Sequence, residues 1–145
     1  MIKGAAEAQA AFMRGCRQDV QIGNPQGALA DLYINLMVEE CQETVEAWNS
    51  AVLGAENSAD DASMDDLMER TAKVVDGAVD TIFVALGLLN ALGVDAEAAW
   101  QEVVRSNESK LGPSPTFRED GKLLKDASFV EPDFLAVVRA SWGMS

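Results

Sequence analysis

The sequence predicts an all-α fold, and three observations carry that expectation. Apolar residues recur at three- and four-residue intervals from Ala28 to about Leu53 and again from Met64 to Leu92, the repeat of a helix face. Clusters of turn formers, Gly23-Asn24-Pro25-Gln26-Gly27 first among them, interrupt the periodic stretches. No segment reads as a strand of substance. The architecture expected is one domain over residues 1–145, with four main helices and a short irregular C-terminal appendage.

The first helix is expected from Ile2 to Arg17, an Ala-rich stretch with only a weak apolar face at Ala6, Ala10, Phe12 and Met13. The second, Ala28 to about Leu53, repeats Leu29, Leu32, Leu36, Met37, Cys41, Val45, Trp48 and Val52 at three- and four-residue intervals. A polar loop over Gly54–Asp61 follows, and Ser63 or Asp65 can cap the third helix, Met64 to Leu92. That helix becomes apolar nearly all round in its second half, so several neighbours must cover it there. Gly93 reads as its stop, and Asp95 caps a fourth helix to about Ser109 with Ala99, Trp100 and Val103 turned inward. Gly112-Pro113-Ser114-Pro115 breaks the chain, Phe117 to Leu124 reads as a small hairpin or an ordered tail, and Pro132 is placed to begin a last short helix.

Composition narrows the function. A net charge of -13, from 24 acidic and 11 basic residues, repels nucleic acid and anionic lipid. No apolar run approaches the roughly 20 residues of a spanning helix, and the start lacks a secretory signal, so a cytoplasmic protein is expected, in the host cytoplasm if viral. Cys16 and Cys41 are too few and too far apart for a zinc motif, and read as free thiols, Cys41 in the core. With no histidine, Ser-His-Asp, Cys-His and catalytic zinc chemistry fall away. Carboxylates, metal-bound water and a few Lys and Arg remain.

Two acidic stretches stand out against that background. Glu39-Glu40-Cys41-Gln42-Glu43 and Asp76-Gly77-Ala78-Val79-Asp80 ride on the two long helices, and in each the acids fall three or four residues apart, on one face. The first alone reads equally as a solvated face. Asp76 and Asp80 lead into an apolar run with little solvated face to spare, and burying an unpaired carboxylate costs several kcal/mol. Brought opposite one another, the helices offer four or five carboxylates, tolerable together once Mg²⁺ or Mn²⁺ sits among them.

With these residues placed, the sequence resembles the all-α nucleoside triphosphate pyrophosphohydrolases, the superfamily of MazG proteins, dimeric dUTPases and phosphoribosyl-ATP pyrophosphohydrolase. Glu40-Cys41-Gln42-Glu43 matches that family's first acidic motif. Lys73-Val74-Val75-Asp76-Gly77-Ala78-Val79-Asp80 resembles its second in the form of small MazG-like bacterial and phage proteins, with Lys73 where that form has Glu. Either the remaining acids suffice or Asp76 and Asp80 are the working pair. Ser106-Asn107-Glu108-Ser109-Lys110 and Arg118-Glu119-Asp120-Gly121-Lys122 resemble the end of the same subfamily, with Val104 replacing a usual His and Asp126 a usual Gly. The likeness runs from about Phe12 to Phe134.

The resemblance implies a four-helix MazG-like bundle that hydrolyses a nucleoside triphosphate, with a deoxynucleotide as the expected substrate, to monophosphate and pyrophosphate. It implies Glu40, Glu43, Asp76 and Asp80 as ligands of Mg²⁺, Mn²⁺ being the alternative, and Glu39 as the general base. Asn107, Lys110, Lys122 and Lys125 are then the phosphate-binding residues. The competing expectation is a catalytically weakened nucleotide-binding or assembly protein. Surplus apolar helical surface predicts a homo-oligomer, tetramer or dimer, with Trp48, Trp100 and Trp142 in packing or subunit contacts.

Overall fold

The computed structural model describes residues 2–57, 63–112 and 114–144. It contains five helices among the described residues: α1 (Ile2–Gly15), α2 (Gly27–Asn57), α3 (Met64–Ala91), α4 (Ala96–Glu108) and α5 (Phe134–Ser141). The only β-type pairing among those residues is an isolated antiparallel bridge, Phe117 to Leu123, so the stretch left open as hairpin or tail is a small hairpin. The all-α expectation holds.

Several boundaries move, each for a local reason. α1 ends before Arg17, which turns left-handed at φ 62°. α2 runs through Gly54 to Asn57, because Ala55 and Glu56 favour helix and one glycine costs only about 1 kcal/mol. Residues 58–61 of the expected loop lie outside the described residues, as does Pro113 in the later break. Ser63, not Asp65, caps α3: its hydroxyl accepts from the Asp66 N–H while the Asp66 carboxylate accepts from the Ser63 N–H. Asp95 caps α4 as expected. The last helix begins after Pro132 rather than at it: Asp133 caps α5, accepting from the Ala136 N–H.

α3 ends in a Schellman motif: the Val94 N–H donates to Leu89 O and the Gly93 N–H to Asn90 O, with Gly93 left-handed at φ 65°. A side chain at Gly93 would also stand 2.7 Å from Asn24 N, since the turn before α2 packs there.

α2 and α3 form an antiparallel hairpin, fixed by two close approaches. At one, an added Cβ on Gly87 would fall 2.2 Å from the Tyr33 ring; at the other, on Gly77, 2.6 Å from Thr44 Oγ1 and 3.1 Å from Thr44 Cα. Tyr33 and Thr44 are eleven residues apart and Gly77 and Gly87 ten, so the two arms keep step to within one residue between the anchors.

α1 covers only the second half of α3. Phe12 meets Phe83 edge-on at 5.4 Å, and Ala6 packs with Leu86 and Ala96. A buried polar chain locks this corner: Asn90 Nδ2 donates to Gln9 Oε1 (2.9 Å) and Ala6 O (3.2 Å), Gln9 Nε2 donates to the Tyr33 hydroxyl (3.3 Å), and that hydroxyl donates to Gln18 Oε1 (3.1 Å). Around it sit Met13, Val20, Ala30, Val84 and Ala91. The expected cover over the second half of α3 is therefore present from Phe83 onward, while Val79 and Ile82 in the same half stay exposed.

The rest of the hairpin has no such cover among the described residues. Val45, Trp48, Leu67, Met68, Val75, Val79 and Ile82 are all exposed, and so is Trp100, which had been expected to face inward. By length and composition α3 could cross a bilayer, yet it pairs with α2 along its course and carries Asp76 and Asp80 midway.

Candidate metal and phosphate site

The crossing at Gly77 and Thr44 sets the acids against each other. Thr44 turns its hydroxyl back onto Glu40 O (2.7 Å), and Thr81 does the same onto Gly77 O (2.9 Å), so both side chains stay compact where the helices meet. Asp80 lies three residues beyond Gly77, and Glu40 four before Thr44 on the antiparallel partner. At 1.5 Å rise per residue the two are level to within about 2 Å along the axis. Asp76 and Glu43 flank the crossing itself.

Electrostatics registers the same convergence. Partial burial pushes the Glu40 carboxyl above its ordinary pKa, and Glu43, Asp80, Glu39 and Asp76, in that order, push it further the same way. Five carboxylates from two helices thus share one field. Only Glu40 is half-buried; Glu39, Glu43, Asp76 and Asp80 are exposed, so the acids line an open face rather than an interior. Cys41 is exposed as well, which corrects the core placement expected for it. The side chains do not close on a point: among the described residues no three Cys, Asp or Glu form a group that holds an ion as it stands. The donor chemistry nonetheless fits a hard cation, being all oxygen and mutually repelling.

Sequence reasoning passed over the two residues that make this geometry, Gly77 and Thr44. The available signal was a glycine inside a helix between two aspartates, a position that otherwise only costs stability.

The residues expected at the phosphates divide. Lys110 Nζ donates to Asn107 Oδ1 (2.5 Å) and stands 5.6 Å from the Phe129 ring centroid, while Lys125 Nζ stands 4.0 Å from the same centroid. Two of the four expected residues therefore stand over one aromatic ring that the sequence did not single out, with Asn107 bonded to one of them. Lys122 is exposed on the hairpin, its backbone N–H donating to Asp120 Oδ1. Arg118 is paired with Asp120, which holds that carboxyl below its ordinary range. α4, which carries Asn107, does not touch α2, so Asn107 and the first acidic motif lie on helices that do not meet. A separate concavity of 470 Å³, between α1 and the α3–α4 turn, includes Lys3, Arg14, Asn90 and Glu97 and none of the hairpin acids.

The family match puts this helical fold among the nucleotide pyrophosphohydrolases of the MazG-like class. The family model described as phosphoribosyl-ATP pyrophosphohydrolase matches residues 12–107, and the chain belongs to that family. The match includes both acidic motifs and Asn107 and stops short of Lys110. No curated protein matches the chain.

Proposed function

We propose that the chain hydrolyses a nucleoside triphosphate, with a deoxynucleotide favoured, to the monophosphate and pyrophosphate, at a Mg²⁺-dependent site on the α2–α3 hairpin. The observation that carries this reading is the Gly77–Thr44 crossing, which puts Glu40 level with Asp80. Glu40, Glu43, Asp76 and Asp80 would hold the cation. Bound there, Mg²⁺ supplies positive charge against the triphosphate and makes water a better nucleophile.

Glu39, beside the ligands and exposed, takes a proton from the attacking water. The water oxygen adds to the α-phosphorus, the bond to the bridging oxygen breaks, and pyrophosphate leaves with the electron pair. Asn107, Lys110 and Lys125, joined by Lys122, are the groups offered to the departing phosphates. Because Asn107 and the first acidic motif lie on helices that do not touch, and the hairpin leaves an apolar face open, the working form is a homo-oligomer, dimer or tetramer.

The test is a panel of common deoxy- and ribonucleoside triphosphates, with phosphoribosyl-ATP included, each supplied with Mg²⁺ while pyrophosphate is measured. Release from at least one triphosphate, abolished in Glu40→Gln, is expected. No release from any of them by protein shown to bind the metal would end the reading.

A further inference from the structure

Between Gly27 and Asp95 the chain carries fourteen acidic residues and two basic ones, Arg70 and Lys73. Lys73 precedes Asp76 by three residues, Gly77 by four and Asp80 by seven, so it occupies the same stripe of α3 as the crossing and both aspartates. It is exposed, and among the described residues the ion pairs are Arg105–Glu102 and Arg118–Asp120, neither of them involving Lys73. Glu69, four residues before it, has the orientation that favours a helical ion pair, yet the two are not among those pairs. An unpaired ammonium on a flexible stem therefore stands at one end of a row of carboxylates, about 6 Å along the axis from the crossing.

Resting on the reading above, we infer that the Lys73 ammonium is a built-in cation of the hairpin site: it occupies the place of one divalent ion and binds a phosphate of the substrate directly. An ammonium is a compact point charge with three donors, suited to a terminal phosphate oxygen. It also repels a second metal ion approaching Asp76 from that side. The site then takes fewer divalent ions than its number of carboxylates would support, and keeps affinity for a polyphosphate through its own side chain.

The experiment uses the full chain, with Mn²⁺ and inorganic tripolyphosphate as probes. Mn²⁺ binding is counted by paramagnetic resonance and calorimetry in the wild type, Lys73→Gln, Lys73→Glu and Lys73→Arg, with circular dichroism confirming the helical fold of each. Expected are an additional Mn²⁺ per chain in Lys73→Glu and unchanged stoichiometry in Lys73→Arg. Tripolyphosphate affinity in Mg²⁺ should fall about tenfold in Lys73→Gln and return in Lys73→Arg, the size of one partly screened charge contact.

Lys3→Gln makes the same charge change at a distance and should alter neither quantity. Equal Mn²⁺ stoichiometry in wild type and Lys73→Glu, unchanged tripolyphosphate affinity in Lys73→Gln, or an equal loss of that affinity in Lys3→Gln would overturn the inference while leaving the hairpin site intact. Absence of any Mn²⁺ binding sensitive to Glu40→Gln would remove the site, and the inference with it.

Discussion

At the scale of single residues, Gly77 decides whether the acids face one another. Gly77→Ala would put a methyl group against Thr44, including its backbone Cα at 3.1 Å, which no rotamer change relieves. Forcing the helices apart should cost about 2 kcal/mol in denaturant unfolding and weaken Mn²⁺ binding together with it. Glu40 gives a prediction of opposite sign. Its raised pKa means that the ionised carboxylate is worse off folded than unfolded, so the penalty is present above the folded pKa and is relieved as pH falls through it. In EDTA at neutral pH, Glu40→Gln should therefore melt higher than the wild type while its Mn²⁺ affinity falls at least about tenfold, as followed by thermal scans and calorimetry. The acids themselves could be read from spacing. Thr44 could not, because its role exists only once a second helix lies against it.

Among the elements, α5 is tied to α4 at its start by the Glu102 carboxylate and at its end by Ser141, whose hydroxyl accepts from the Asp95 N–H. Glu102 accepts from Arg105 (2.9 Å to Nε) and from the Asp133 N–H (2.6 Å), and these bonds hold its carboxyl down to about 2. Arg105 reaches on to Glu131 O (2.9 Å). A depressed carboxylate stabilises above its unfolded value of 4.5 and loses that contribution as pH falls from there toward about 2. Hydrogen exchange at the Ala136 and Val137 amides should accelerate over that window, and Glu102→Gln should bring the acceleration to neutral pH. Helix existence and the Asp95 cap were legible because periodicity and capping chemistry are local. Helix ends were less so, since the extension of α2 to Asn57 and the start of α5 after Pro132 turn on small preferences that neighbouring contacts tip.

For the whole molecule, the uneven cover of the hairpin is the governing fact. One end is closed by α1 and a buried amide and hydroxyl chain, while the other exposes Val45 and Val79 at 58% and 56% on either side of the acids. A lone chain of 15.5 kDa is therefore not the expected solution species. Light scattering at micromolar concentration should give a multiple of that mass, and the pair Val45→Lys with Val79→Lys should return it to a single chain. The surplus of apolar surface was evident in the sequence. Its location was not, since that depended on α1 and α4 both gathering at one end.

The pair of anchors, Tyr33 at Gly87 and Thr44 at Gly77, has a consequence for how the protein can change length. One extra residue in either arm between those anchors would rotate everything distal by about 100° and leave one glycine facing the wrong neighbour. Insertions there are tolerable only as matched whole turns in both arms, so a library of single-residue insertions should show a silent window from Tyr33 to Thr44 and from Gly77 to Gly87, with survivors only outside it.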